Sequence, residues 1–141
     1  MSRNQTPQMI AGGTIAPSVF CMTSTAADNT VLQATAGATA AYISQVGTKY
    51  PPGSGLGSGQ AADAGDDIQL FGFGDICPIT VGSGAGVTHG DPLSVTTGGT
   101  AITSATPGTS VVCAYALESG AANTLVRCQI CIPHLMITSE Q

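Results

Sequence analysis

No stretch of a dozen residues in this chain keeps the 3.6-residue period of an amphipathic helix. Short apolar and β-branched runs, broken by Gly, Pro, Asn and Asp, recur from one end to the other instead. The helix-favouring residues Lys, Arg and Glu are scarce, while Thr, Val, Ser and Gly are abundant. This pattern predicts an all-β chain folded as a small β-sandwich or β-barrel. Strands are expected near Ser18 to Thr23, Thr30 to Thr35, Ala41 to Val46, Ile68 to Phe73, Ile76 to Val81, Pro92 to Val95, Ala101 to Thr103, Val111 to Leu117 and Leu125 to Ile132. A length of 141 residues suits one such domain, large enough to bury about two-thirds of the surface of the unfolded chain.

Two stretches lack any period. Residues 1–16 read as an N-terminal arm preceding a single β domain over 17–141, and Thr48 to Asp67, rich in Gly and Pro, reads as a long insertion loop. The segment from Met9 to Met22 is interrupted by Gly12, Gly13 and Pro17 and is read as mature chain, not a leader. The domain also looks like two pseudo-repeated halves. "AYISQVG" (Ala41 to Gly47) and "AYALESG" (Ala114 to Gly120) align, each preceded by a Pro-led strand at Pro17 or Pro92. Each is followed by an Ala-Ala pair and a final apolar strand, at Ile68 or Leu125. The long loop is then an insertion in the first copy.

Charge excludes whole classes of partner. Only Arg3, Lys49 and Arg127 are basic, against eight acidic residues, for a net charge of −5. Three scattered cations cannot make the basic stripe that phosphate backbones require, so no nucleic-acid ligand is expected. An anionic membrane surface fails for the same reason, and no apolar run approaches the roughly 18 residues that span a bilayer. Charged residues make up 8% of the chain, against about 25% in ordinary soluble proteins. A surface so poor in charge, and lacking lysines to guard strand edges, is expected to be covered by other subunits.

The constellations that could carry chemistry are weak. Cys128-x-x-Cys131-x-x-His134 has zinc-like spacing but lacks a second ligand pair, and residues three apart on a strand point to opposite faces. The five cysteines (Cys21, Cys77, Cys113, Cys128 and Cys131) are read as free thiols of a reducing compartment. His89 and Asp91 with a serine, or His89 with Cys21 or Cys113, would make a hydrolytic set, but "THGDPL" reads more simply as a turn entering a strand. Asp63, Asp66, Asp67 and Asp75 match no calcium-loop spacing. Gly82-x-Gly84-x-Gly86 lacks the lysine of a phosphate loop. No metal, cofactor or catalytic residue is expected, and Phe20 with the Tyr42/Tyr115 pair is expected to supply the large pieces of the core.

Four segments carry a family resemblance: "APSVFCMTSTAADNTVLQATAG", "AYISQVGTK", "GSGAGVTHGDPLSVTTGGTAI" and "AYALESGAANTLVRCQI". Together they resemble the small capsid cement, or head decoration, proteins of tailed bacteriophages. Ala27, Asp28, Asn29, Thr30, Val31, Leu32 and Gln33 match the first signature. Gly86, Gly90, Asp91 and Leu93, then Ala116, Leu117, Glu118, Gly120, Ala121 and Ala122, match the second. The similarity runs from Pro17 to Ile132. Val19 stands where a basic residue is expected, and Tyr42 where a glycine is expected.

The resemblance implies a non-enzymatic virion protein on the capsid exterior that bridges major capsid protein subunits and self-associates, as a homotrimer. The alternatives are a tail, fibre or host-surface adhesion module and, behind it, a thiol- or zinc-dependent hydrolase. Within the decoration reading the contact residues are Arg3, Met9 and Ile10 in the arm and Lys49, Tyr50 and Leu56 in the loop. Deleting Met1 to Ile10 is then expected to leave the domain folded.

Overall fold

The computed structural model describes residues 8–51, 53–57, 59–104 and 108–136. They form ten strands and a single 3-10 turn at Thr97–Gly99, with no α-helix among the described residues. The first five strands are β1 (Gln8–Ala11), β2 (Phe20–Thr23), β3 (Thr30–Gln33), β4 (Tyr42–Ser44) and β5 (Asp67–Phe71). The second five are β6 (Ile76–Thr80), β7 (Pro92–Val95), β8 (Ala101–Thr103), β9 (Val111–Ala116) and β10 (Leu125–Leu135). The first set closes into a barrel in the order β1-β3-β2-β4-β5, and the second makes a sheet in the order β6-β10-β9-β7-β8. Every strand expected from the sequence is present; β1 was not expected.

That strand lies within the segment read as an arm: residues 8–11 belong to the barrel, while residues 1–7 lie outside the described residues. Met9 and Ile10 pair with Ile68 and Asp67 on β5, while Ile10 and Ala11 run parallel to Thr30 and Val31 on β3. β1 is therefore the stave that closes the barrel. Ile15 beyond it is fully buried and bridges Ala62. The physical cause lies in the pairing: a four-residue strand with β3 on one side and β5 on the other needs little local propensity, because both neighbours satisfy its backbone.

The two halves repeat one another strand for strand. In each, the first strand lies antiparallel to the fifth, the fifth pairs with the fourth, the fourth with the second and the second with the third. The matching extends to single hydrogen bonds. The Ala11 N–H donates to the Asp66 carbonyl as the Val81 N–H does to Thr124, and the Gly65 N–H donates to the Ala11 carbonyl as the Asn123 N–H does to Val81. Gly65 and Asn123 both sit in the left-handed region, at φ 88° and 65°, where Gly and Asn are the least strained choices. The parallel closure of β1 on β3 has its counterpart in the isolated Val81–Ala101 bridge. Gln45 Oε1 accepts the Gln69 N–H, and Glu118 Oε2 accepts that of Arg127.

Two cores follow. Val31, Ile68, Leu70 and Ile15 fill the barrel. The outer wall of the same barrel sends Phe20 and Ile43 into the inner face of the second sheet, against Leu93, Val126 and Ile130. The first half thus packs on the inner face of the second sheet, whose two end strands β6 and β8 meet at the Val81–Ala101 bridge. The seam is also hydrogen-bonded. The carbonyl of Ser18, a buried residue at φ 54°, accepts the Thr80 N–H at 2.9 Å, and Gln33 Nε2 donates to the Gly98 carbonyl at 2.8 Å. Phe20 is a core residue as expected, whereas Tyr42 and Tyr115 are only half-buried.

Candidate functional site

The loop between β4 and β5 is tied down at its base. The Lys49 N–H donates to the Gln60 carbonyl at 2.8 Å. The Lys49 ammonium lies 3.1 Å from Asp63 Oδ2 and 2.7 Å from Asp66 Oδ2, and 5.4 Å from the centre of the Tyr50 ring. Gln60 Nε2 donates to both oxygens of Asp63, and Asp66 Oδ2 accepts the Asp63 N–H. Hydrogen bonding to Lys49 holds both carboxyls below the usual carboxylate range, and the same two groups, Asp66 first, push Lys49 upward.

This clasp joins the loop to β1. Asp66, bound to Lys49 through its carboxylate, also accepts the Ala11 N–H through its carbonyl, and Ile10 sits opposite Asp67. Of the expected contact residues, Ile10 and Lys49 are thereby linked through the Asp66–Asp67 segment. Ile10 is 42% exposed and Leu56 59%; Tyr50 is half-buried, and Met9 is half-buried against the barrel core. Arg3 lies outside the described residues. Thr48, Tyr50, Pro51 and Leu56 border a recess of about 200 Å³, below the roughly 300 Å³ at which small-molecule sites begin. The face thus combines the exposed apolar side chains of Ile10 and Leu56 with the charged groups of the clasp.

The catalytic and metal constellations do not assemble. Asp91 Oδ2 accepts from the Thr88 N–H and from Thr103 Oγ1, while the backbone N–H of His89 donates to Ser119 Oγ. Asp63 and Asp66 are both paired with Lys49, and Asp75 accepts the Gly72 N–H. Cys128 faces Cys77, and Cys131 reaches toward the Val112 carbonyl. Among the described residues no group of three or more His, Cys, Asp or Glu could hold a metal ion. Burial pushes the Cys21 thiol up to about 12 and raises that of Cys113, the opposite of what an activated nucleophile requires.

The second-half signature residues have structural work. Gly86 lies where a β-carbon would fall 2.5 Å from the Gly120 carbonyl oxygen, Asp91 ties the turn before β7 to β8, and Glu118 caps the β10 backbone at Arg127.

A further surface was not anticipated. On the outer wall of the second sheet Ile76 and Leu125 are 58% and 55% exposed, with Phe73 at 61% in the turn beside them and Ile132 and Leu135 near the end of β10. Its signal was present in β6 and β10, whose outward positions carry Ile76, Pro78 and Leu125 with Arg127 as the charged residue among them.

Among solved structures, the fold is similar to that of "head fiber gp8.5 N base in bacteriophage phi29", with a TM-score of 0.55 at 20% sequence identity. The match covers 93% of this chain and 97% of that one. No protein-family model matches the chain, and no curated protein matches its sequence. At this identity the likeness establishes the shared fold.

Proposed function

We propose that this chain is a structural protein of a phage virion, attached to the exterior of the icosahedral head, where it holds the major capsid protein and further copies of itself. The observation that carries the reading is the near-complete mutual coverage with the base of a phage head fibre. It is supported by a surface with few charges and by the apolar side chains left exposed on two faces.

In this reading the clasped face, with Ile10, Tyr50 and Leu56, meets the shell, and the outer wall of the second sheet meets neighbouring copies, with a homotrimer as the expected assembly. Each contact can be weak, because linked protomers must all release together before the assembly dissociates. A net charge of −5 suits the outside of a head; against packaged DNA it would be repelled.

A second reading, that the chain is the base of a projecting fibre or adhesion module, is favoured by the description of the phi29 structure. Co-sedimentation with heads built from the shell protein of the same genome tests the first. Saturable binding, lost when Ile10 and Leu56 are both replaced by Glu, is the expected result. No binding at saturating protein would refute attachment, and images of decorated heads separate low knobs from projecting fibres.

A further inference from the structure

Cys77 on β6 and Cys128 on β10 are direct partners in the antiparallel register, and both are buried on the inner face of the second sheet. The phase of the ladder is set at its two ends. The Ile130 N–H donates to the Asp75 carbonyl and the Val81 N–H to the Thr124 carbonyl. Pairs then alternate so that Cys77 and Cys128 occupy a hydrogen-bonded site, while Pro78, which has no N–H, faces Arg127 at the adjacent non-hydrogen-bonded site. Partners at such a site have α-carbons about 5.5 Å apart, inside the roughly 4.4–6.8 Å that a disulfide spans.

The two side chains face each other across the ladder, and the interaction with Cys128 together with burial keeps the Cys77 thiol protonated. By contrast, Cys21 and Cys113 are directed at backbone carbonyls, of Val19 for the first and of Ala38 and Val111 for the second. Access comes from position. β6 is at the edge of its sheet and has β10 as its ladder partner there, so a local opening that frees Ile79 and Val81 from the core and breaks the Thr80–Ser18 bond exposes the pair while the barrel of the first half stays closed.

We propose that Cys77 and Cys128 are a latent disulfide site, oxidised by thiol–disulfide exchange with a small-molecule disulfide of the glutathione class. On opening, one of the two thiols loses its proton, and its thiolate attacks a sulfur of the small disulfide, forming a mixed disulfide and expelling one thiolate. The second cysteine, deprotonated in turn, attacks the protein-side sulfur of that bond and expels the other. Two protein S–H bonds and one S–S bond are exchanged for one protein S–S bond and two small-molecule thiols. The product staples β6 to β10 and closes a loop of about 50 residues. On a particle that has left its host, in oxidising surroundings, the staple would form after assembly; that consequence rests on the proposed function, whereas the chemistry does not.

The test uses the full chain, purified reduced and incubated with oxidised glutathione until the β6 amides have exchanged with solvent, so that opening is known to have been sampled. Remaining thiols are then alkylated, and peptides are mapped without reductant. The expected result is a mass two hydrogens below the reduced chain before alkylation, with residues 77 and 128 in one cross-linked peptide. The unfolding midpoint should rise by about 10 °C, reversibly with dithiothreitol. Cys77→Ala and Cys128→Ala should each abolish both changes. Persistence of free thiols at 77 and 128 after complete exchange, a stable mixed disulfide, or a cross-link joining other cysteines would overturn the proposal. Because the peptide map is read on the unmutated chain, a variant that fails to fold leaves the decision intact.

Discussion

A lysine between two aspartates decides how the barrel loop sits, and its contribution follows pH in both directions. Asp63 and Asp66 ionise in the folded chain below their ordinary range, so the stability they bring is complete above the unfolded carboxylate range and fades as pH falls through their folded values. The Lys49 shift is upward. Its share is present below the ordinary lysine range and is lost as pH rises through the raised value. Lys49→Met should therefore speed amide exchange over residues 48–66 at pH 7 and leave little difference from the parent at pH 2. The clasp is exposed and screened by salt, so the melting temperature should move little. Equal exchange rates in the two proteins at pH 7 would show that the clasp does not hold the loop. Gly86 is a second single-residue constraint. Gly86→Ala drives a β-carbon into the Gly120 carbonyl and should cost about 2 kcal/mol in a denaturant titration.

At the scale of elements, β1 shows what sequence pattern can and cannot convey. Strands such as Pro92–Val95 and Ala101–Thr103 carry β-branched or apolar runs bounded by turn residues, and their limits could be read directly. Gln8–Ala11 carries only the three-residue run Met9-Ile10-Ala11 before Gly12 and Gly13, inside a segment read as irregular. It is a strand because β3 and β5 complete its backbone from both sides, information held about twenty and about sixty residues away. The repeat was legible in "AYISQVG" and "AYALESG", yet its first strand was missed because β1 and β6 share topology without sharing residues. Of the candidate site, the loop residues could be picked out by their Gly and Pro context. The outer wall could not, since its apolar side chains read as core until the sheet had a direction. Removing residues 1–11 should now open the barrel edges of β3 and β5 and expose Val31 and Ile68. A fall in the urea midpoint, with loss of exchange protection across β2 to β5, is the expected outcome in place of the folded domain anticipated from the arm reading.

At the scale of the molecule, one feature of composition runs through the account. With three basic residues in the whole chain, each exposed face carries few charges, Lys49 with Asp63 and Asp66 on one and Arg127 on the other, and the proposed function would bury the apolar side chains between them. The internal repeat places the barrel wall of the first half inside the second, through Phe20 and Ile43, and leaves the corresponding wall of the second half outward. The central claim is location, and electron cryomicroscopy of heads assembled with this chain tests it most directly. The account predicts copies at fixed lattice positions on the outer surface, with the loop carrying Tyr50 and Leu56 against the shell. Density confined to the interior, or heads that stay bare at saturating protein, would contradict it.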